Sequence, residues 1–513
     1  MQRGYVRVGA PAEQRYRHES WPALTLEYTP LEIGHGLATV DPQSLATVPG
    51  RIDGRRVRLV DLDGDGVPSF AQLTGPQAGA FKRVAVGTAE EWAPHRPFRS
   101  RPNFDLSQPN VLMLDVTGDG LADVVVFELG RIVFYPSLGH GGFAAPVVCG
   151  RPAGDDRSGP RLVFGDATRA VFLADMTGDG LSDLVRVENG RVLYWPNQGY
   201  GRFGRVVEMA GAPWFDRPDR FRADRIRFGD IDGSGTADLV YLGGDGTRVW
   251  INAAGNRYAA GVELPGFPTL DTMSSVELAD ILGTGGAALV WSTSRAADRG
   301  THVRYAELTP RGKPYLLRTI DNGMGLRRTI TYAPSTRFYL EDRAAGRPWV
   351  TRLPFVVHVV EHVEIVDAVT QRRFGSRYRY HHGYFDGAER EFRGFAVVEQ
   401  IDTESFAEFR ANTSFPSGHQ IRDGALFVPP VLTRTRFHTG AWLDADAIAV
   451  RLAAEDYRGD AGDPASVPPV VLPASALPSD LSPGERREAM RALRGRALRQ
   501  EVYAMALQPD GSA

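Results

Sequence analysis

One cysteine, Cys149, stands in 513 residues. That excludes an internal disulfide framework and any zinc site built on cysteine pairs. Long apolar runs are missing, so no segment reads as a membrane-spanning helix. The N-terminal stretch MQRGYVRVGAPAEQRYRHES lacks the apolar core of a secretory signal. Excess charge is missing too: 59 basic residues face 62 acidic ones, a net of −3. A general electrostatic argument for nucleic-acid binding therefore fails. No helical period competes for the first 330 or so residues. Turn formers are plentiful instead, with 57 glycines and 35 prolines spread along the chain. The length and a 42% hydrophobic content suit two or three globular domains.

Internal repetition is the strongest positive signal. Five segments share a core: LVDLDGDGVPSF, MLDVTGDGLADVV, LADMTGDGLSDLV, FGDIDGSGTADLV and LADILGTGGAALV. Their leading aspartates are Asp61, Asp115, Asp175, Asp230 and Asp280, spaced by 54, 60, 55 and 50 residues. Each unit reads as strand, acidic turn, β-branched strand (DVVVF, DLVRV, DLVYL), hairpin, strand, turn, strand. Asn189-Gly190 is the clearest hairpin signal. A unit of this length suits a propeller blade, whose radial closure leaves only short edges. The pattern predicts five or six blades over residues 46–312, with residues 1–45 supplying closing strands or a degenerate blade.

The turns follow D-x-[DT]-G-[DS]-G-x-x-D in the best copies. Hard oxygen ligands at positions one, three and five around a glycine are what Ca²⁺ prefers. The candidate ligands are Asp61, Asp63 and Asp65; Asp115, Asp119 and Asp123; Asp175, Asp179 and Asp183; and Asp230, Asp232 and Asp238. An EF-hand would need Glu at position twelve, where Gln72, Val126 and Arg186 stand. An acid at position nine resembles the Ca²⁺ hairpins of integrin-like FG-GAP (VCBS) propellers instead. The competing reading is a metal-free Asx-turn. It is favoured by Thr117 and Thr177 at position three, Ser69 at position nine, and Leu282 and Ala288 in the last copy. No cofactor is required on this reading. A weak Ca²⁺ site at Asp230/Asp232/Asp238 or Asp61/Asp63/Asp65 stays open.

Other patterns dissolve on inspection. Gly199–Gly204 fits G-x-G-x-x-G, but RVVEM and a proline-containing loop follow instead of a helix, so it is a turn. His381 and His382 point to opposite faces of a strand with no nearby acid or cysteine to complete a ligand set, which predicts a structural role. No nucleophile elbow or other catalytic constellation appears, so the reading is non-enzymatic. From residue 313 the sequence becomes an antiparallel meander of aromatic, β-branched and charged residues. One helix is expected near 483–499, opened by a Ser482-Pro483-Gly484-Glu485 capping box.

The order of blocks carries a resemblance. WPALTLEYTP, the TGDG turns, YWPNQGYGRFG, APWFDRPD and DIDGSGTADLVYLG precede YAPSTRFYLEDRAAGRPWVTRLPFVVHVVE and YHHGYFDGAEREFRGFAVVEQ. From about Trp21 onward the chain resembles the middle of a TcB-type (SpvB/TcdB-like) component of bacterial insecticidal Tc toxin complexes. The resemblance implies an all-β fold: the propeller, then the start of an RHS-repeat cocoon over 313–513. It implies a virulence scaffold whose propeller docks on and gates a TcA-type translocation pore. A TcC-type partner would complete the cocoon and carry the toxic enzyme. Such proteins are made in the cytoplasm without a Sec signal and act outside the cell. The long SpvB-like N-terminal region and most downstream cocoon strands are missing, which marks the chain as a fragment: a truncated reading frame or half of a split gene. A free-standing, Ca²⁺-stabilised adhesion or ligand-binding propeller is the alternative, and a hydrolase on a propeller platform a third reading.

Overall fold

The computed structural model describes the chain except residues 1–2, 8–15, 86–90, 151–169, 199–202, 403–428, 458–470 and 506–513. Scattered positions between 43 and 55 and between 102 and 109, and residues 118, 129, 130, 299, 473 and 474, are also outside it. The glycine pattern from Gly199 falls largely there.

Five four-stranded antiparallel sheets form the propeller. The middle blade shows the plan: Ala170–Ala174, Asp183–Glu188, Arg191–Trp195 and Val207–Glu208. The next is Ile226–Gly229, Asp238–Leu242, Thr247–Trp250 and Val262–Leu264. Second strands look uniformly apolar because both faces are buried between neighbours. In blade four Leu239 and Tyr241 pack on Val185 and Val187 of blade three. Their alternates Val240 and Leu242 pack with Leu289 and Trp291 of blade five. That period-two division follows from the pleat. First strands of successive blades touch: the Phe172 and Phe228 rings are 5.2 Å apart, and Arg227 Nε donates to the Val276 carbonyl at 2.7 Å. They are the inner strands.

The expected five or six blades resolve to five. Among the described residues of 1–45 no sixth blade forms; Leu37–Thr39 instead becomes the outer strand of blade five, antiparallel to Val303–Glu307. Val40, Leu45 and Ile52 then pack with Phe70 of blade one and Val290 of blade five, sealing the ring.

A second body follows, an eight-stranded antiparallel sheet. Thr25–Tyr28 forms one edge, and Leu317–Asp321, Leu326–Pro334, His358–Asp367, Arg372–Asp386, Glu391–Asp402, Val431–Phe437 and Ala497–Ala504 follow in chain order. The fold is therefore mostly β, as the sequence leads one to expect. The helix near 483–499 is shorter, Pro483–Ala492. Its capping box forms, Ser482 N donating to Glu485 Oε2 at 2.8 Å. Gly495, at φ +74°, breaks the helix, and strand 497–504 begins. Two further helices, unexpected from sequence, are Ser335–Ala344 and Ala445–Ala453. The first buries Phe338 against Tyr380 and Phe395 of the sheet.

Candidate functional site

Each acidic turn joins the inner strand of a blade to the second strand, so all five turns lie at one end of the propeller. In three blades the aspartate at position nine is fully buried and makes the same staple. Asp123 Oδ2 accepts from Val116 and Thr117 N at 3.0 Å, and its Oδ1 from Ser137 N at 2.8 Å. Asp183 accepts from Met176 N at 2.9 Å and Asn197 N at 2.7 Å. Asp238 accepts from Ile231 N at 2.8 Å and Asn252 N at 2.7 Å. One carboxylate thus ties the turn seven residues back to the end of the third strand fourteen residues on. Ser69 and Ala288 replace it in the first and last blades.

The leading aspartates cap their own loops. Asp61 accepts from Gly64 N at 2.9 Å and Gly66 N at 2.8 Å; Asp115 from Gly120 N at 2.9 Å. Asp175 accepts from Gly178 and Gly180 N at 2.7 Å, and Asp230 from Ser234 N at 3.0 Å and Gly235 N at 2.9 Å. Position-five acids do likewise: Asp119 accepts from Leu121 N at 3.0 Å, and Asp179 from Leu181 N at 2.9 Å. These are Asx-turns. Burial pushes Asp238 up to about 7 and Asp183 up to about 6, against their backbone donors. Burial, then repulsion from Asp65, pushes Asp61 up to about 7. Burial raises Asp63 too, but hydrogen bonds and charge from His140 and Lys82 outweigh it and bring it down to about 2.

Of the twelve candidate ligands, only Asp230, Asp232 and Asp238 form a group of three whose carboxylate oxygens lie within 4.8 Å of one another, among the described residues. Both oxygens of Asp230 and of Asp238 already accept backbone N–H groups. The carboxylates are thus hydrogen-bonded as they stand, and they would supply only part of the six to eight oxygens Ca²⁺ takes, the rest falling to backbone carbonyls and water.

Sequence reasoning missed what this end of the propeller touches. Tyr339 Oη donates to Asp65 Oδ2 at 2.8 Å, and Arg343 Nη2 donates to the Arg83 carbonyl at 3.1 Å. Thr336 donates to the Gly283 carbonyl, and Arg390 to the Val116 carbonyl at 3.3 Å. Gly120 faces Pro354 so closely that a Cβ would lie 2.3 Å from its ring; φ there is +85°. Lys313 packs on Gly233. Turns of blades one, two, four and five are therefore a docking face for residues 313–358 and Arg390.

The histidine pair also differs from expectation, since acids distant in sequence surround it. His381 Nδ1 lies 2.6 Å from Asp342 Oδ2, and His382 Nε2 lies 3.0 Å from Glu455 Oε1. Burial lowers the His381 pKa, but Asp342 and Glu399 outweigh it and hold it above the ordinary value. The pair welds helix 335–344 and the 445–456 region onto the sheet.

Comparison with known proteins agrees with this architecture. Residues 252–414 match the family described as insecticide toxin TcdB middle/N-terminal region, and residues 175–241 an FG-GAP-like repeat. The fold is that of solved TcdB2-TccC3 chains. The TcdB2-TccC3-Cdc42 crystal structure aligns with a TM-score of 0.70 and 24% identity over 97% of this chain and 25% of that one. A Photorhabdus luminescens Tc holotoxin pore carrying a TccC3 mutation aligns with a TM-score of 0.69 and 24% identity, covering 96% of this chain and 24% of that one. The present chain thus spans about a quarter of their length. No curated protein matches. Among the described residues no helix is long and apolar enough to cross a membrane.

Proposed function

We propose that the chain is a non-catalytic scaffold of a bacterial toxin complex. Its propeller docks on and gates a TcA-type translocation pore, and its eight-stranded sheet contributes to a cocoon completed by a TcC-type partner, the whole acting outside the producing cell. The TcdB middle-region match and the shared fold support this reading. The observation that carries it is the occupied end of the propeller. With four of the five acidic turns contacted by residues 313–358 and Arg390, the opposite end is the freer one for a partner.

That opposite end presents the hairpins between second and third strands. Trp214 is 70% exposed there, beside the Gly190 hairpin, and Met273 is 44% exposed at the start of blade five. Exposed large apolar residues suit anchors that become buried on association. Mixing the chain with a TcA-type pore protein tests the reading by co-elution on size exclusion. Binding is expected, and Trp214→Ala with Met273→Asp should weaken it while leaving the melting temperature unchanged. If the chain ignores the pore and instead binds glycans or surfaces in a Ca²⁺-dependent way, the free-standing adhesion propeller takes its place.

A further inference from the structure

A cleft of about 650 Å³ opens where blade five hands over to the large sheet. Its size lies within the range of small-molecule sites. Its walls come from both bodies: Glu307 and Thr309 from the end of blade five, Lys313 from the connection, Arg318 and Tyr332 from the sheet, and Thr29 from the N-terminal segment. We propose that this cleft binds a small organic anion, a carboxylate or phosphate ester with a compact apolar part.

Four observations point there. First, the lining carries more positive than negative charge, with Lys313 acting only at longer range on Asp230 of the neighbouring turn. Arg311 is tied to Glu32 at 2.8 Å, but Lys313 and Arg318 make no ion pair among the described residues. Lys313 is half-buried, its stem held against Gly233. Second, the cations bias their surroundings. His358 on the cleft wall is held uncharged, at about 4, by burial and then by Lys313. An extra positive charge on His358 is thus resisted. Third, Glu307 is the only carboxyl among the cleft-lining residues, and burial with Asp280 nearby raises its pKa. Fourth, the wall is pre-formed. Thr29 N donates to the Leu316 carbonyl at 2.8 Å, Tyr315 N to the Thr29 carbonyl at 2.8 Å, and Thr29 Oγ1 to the Lys313 carbonyl at 2.9 Å. Little ordering is left for binding to accomplish. Thr309, Thr284 and Thr331 add hydroxyls, while Pro30, Ile330 and Tyr332 supply the apolar side.

The fold does not need this chemistry, because a cleft between two bodies could be closed with apolar contacts. A bound anion would tie the connection to the sheet through Lys313 and Arg318.

Isothermal titration of the full chain with pyrophosphate and with citrate, at low ionic strength, tests the assignment. Saturable binding with one site per chain is expected for at least one of them, and the preferred probe separates phosphate from carboxylate recognition. Lys313→Met with Arg318→Met keeps both aliphatic stems and should weaken binding by about tenfold or more. The ligand-free melting temperature of that variant should match the parent, which separates loss of a site from loss of fold. Binding should also raise the pKa of His358, read by NMR. Absence of saturable heat with both probes, or unchanged affinity in the double variant, overturns the proposal.

Discussion

Tyr339, on the first helix after the propeller, donates its hydroxyl to Asp65 in the first acidic turn at 2.8 Å. The bond joins two bodies that the sequence separates by almost the whole propeller. Asp65 is mostly buried, and burial with Asp63 nearby raises its pKa while the Tyr339 bond opposes the rise. A double-mutant cycle with Tyr339→Phe and Asp65→Ala should return a coupling of about 1.5–3 kcal/mol, the range for a hydrogen bond to a charged acceptor. Urea unfolding measures it. A coupling below about 0.5 kcal/mol would mean that this bond adds nothing to the hold provided by Thr336, Arg343 and packing.

The buried staple makes a sharper prediction. Asp238→Ala strands the N–H groups of Ile231 and Asn252, and should destabilise the propeller by about 2–3 kcal/mol. Asp238→Asn should cost nearly as much, because its amide would face a backbone donor. Asp179, exposed at the tip of its turn, should tolerate alanine within about 0.5 kcal/mol. Equal effects at the two positions would contradict the staple.

Stability should depend on pH with a definite sign. Asp61 and Asp238 sit at about 7 in the folded chain against 3.8 ordinarily. Between those values the folded state holds more protons than the unfolded one. Stability contributed by these groups therefore falls as pH rises from about 4 towards 7. His358, at about 4 against 6.5, acts oppositely: its contribution is present above 6.5 and is lost as pH drops towards 4. Denaturation at a series of pH values should show His358→Asn retaining more of its stability on acidification than the parent does. The same slope in both would remove His358 from the account.

Metal removal should change nothing in the turns. Because backbone N–H groups already hold both oxygens of Asp230 and of Asp238, a chelator is expected to leave the melting temperature where it was. A rise with added Ca²⁺ that Asp232→Asn abolishes would restore the metal reading at that cluster.

The propeller was legible because its repeat encodes a local device. D-x-[DT]-G-[DS]-G turns and runs such as DLVYL reflect a capped loop and a strand buried on both faces. The staple was half legible: the aspartate at position nine stood out, but its partner fourteen residues on is a backbone N–H, which no side-chain motif records. Helix 335–344 was hidden because STRFYLEDRA follows strand-like text and takes its stability from Phe338 docking on the sheet. Asp342 and Glu455 meet the histidine pair only through the folded topology, so spacing could not reveal them.

The N-terminal strands have a consequence for the order of assembly. Leu37–Thr39 must wait for Val303–Glu307, and Thr25–Tyr28 for Leu317–Asp321, before either has a partner. On a ribosome adding about 5–20 residues per second, that wait is roughly a quarter of a minute to a minute. Until then both N-terminal strands are without the strands they pair with. Folding of both bodies is thereby timed by the same short stretch, and late synthesis, rather than early collapse, closes the ring.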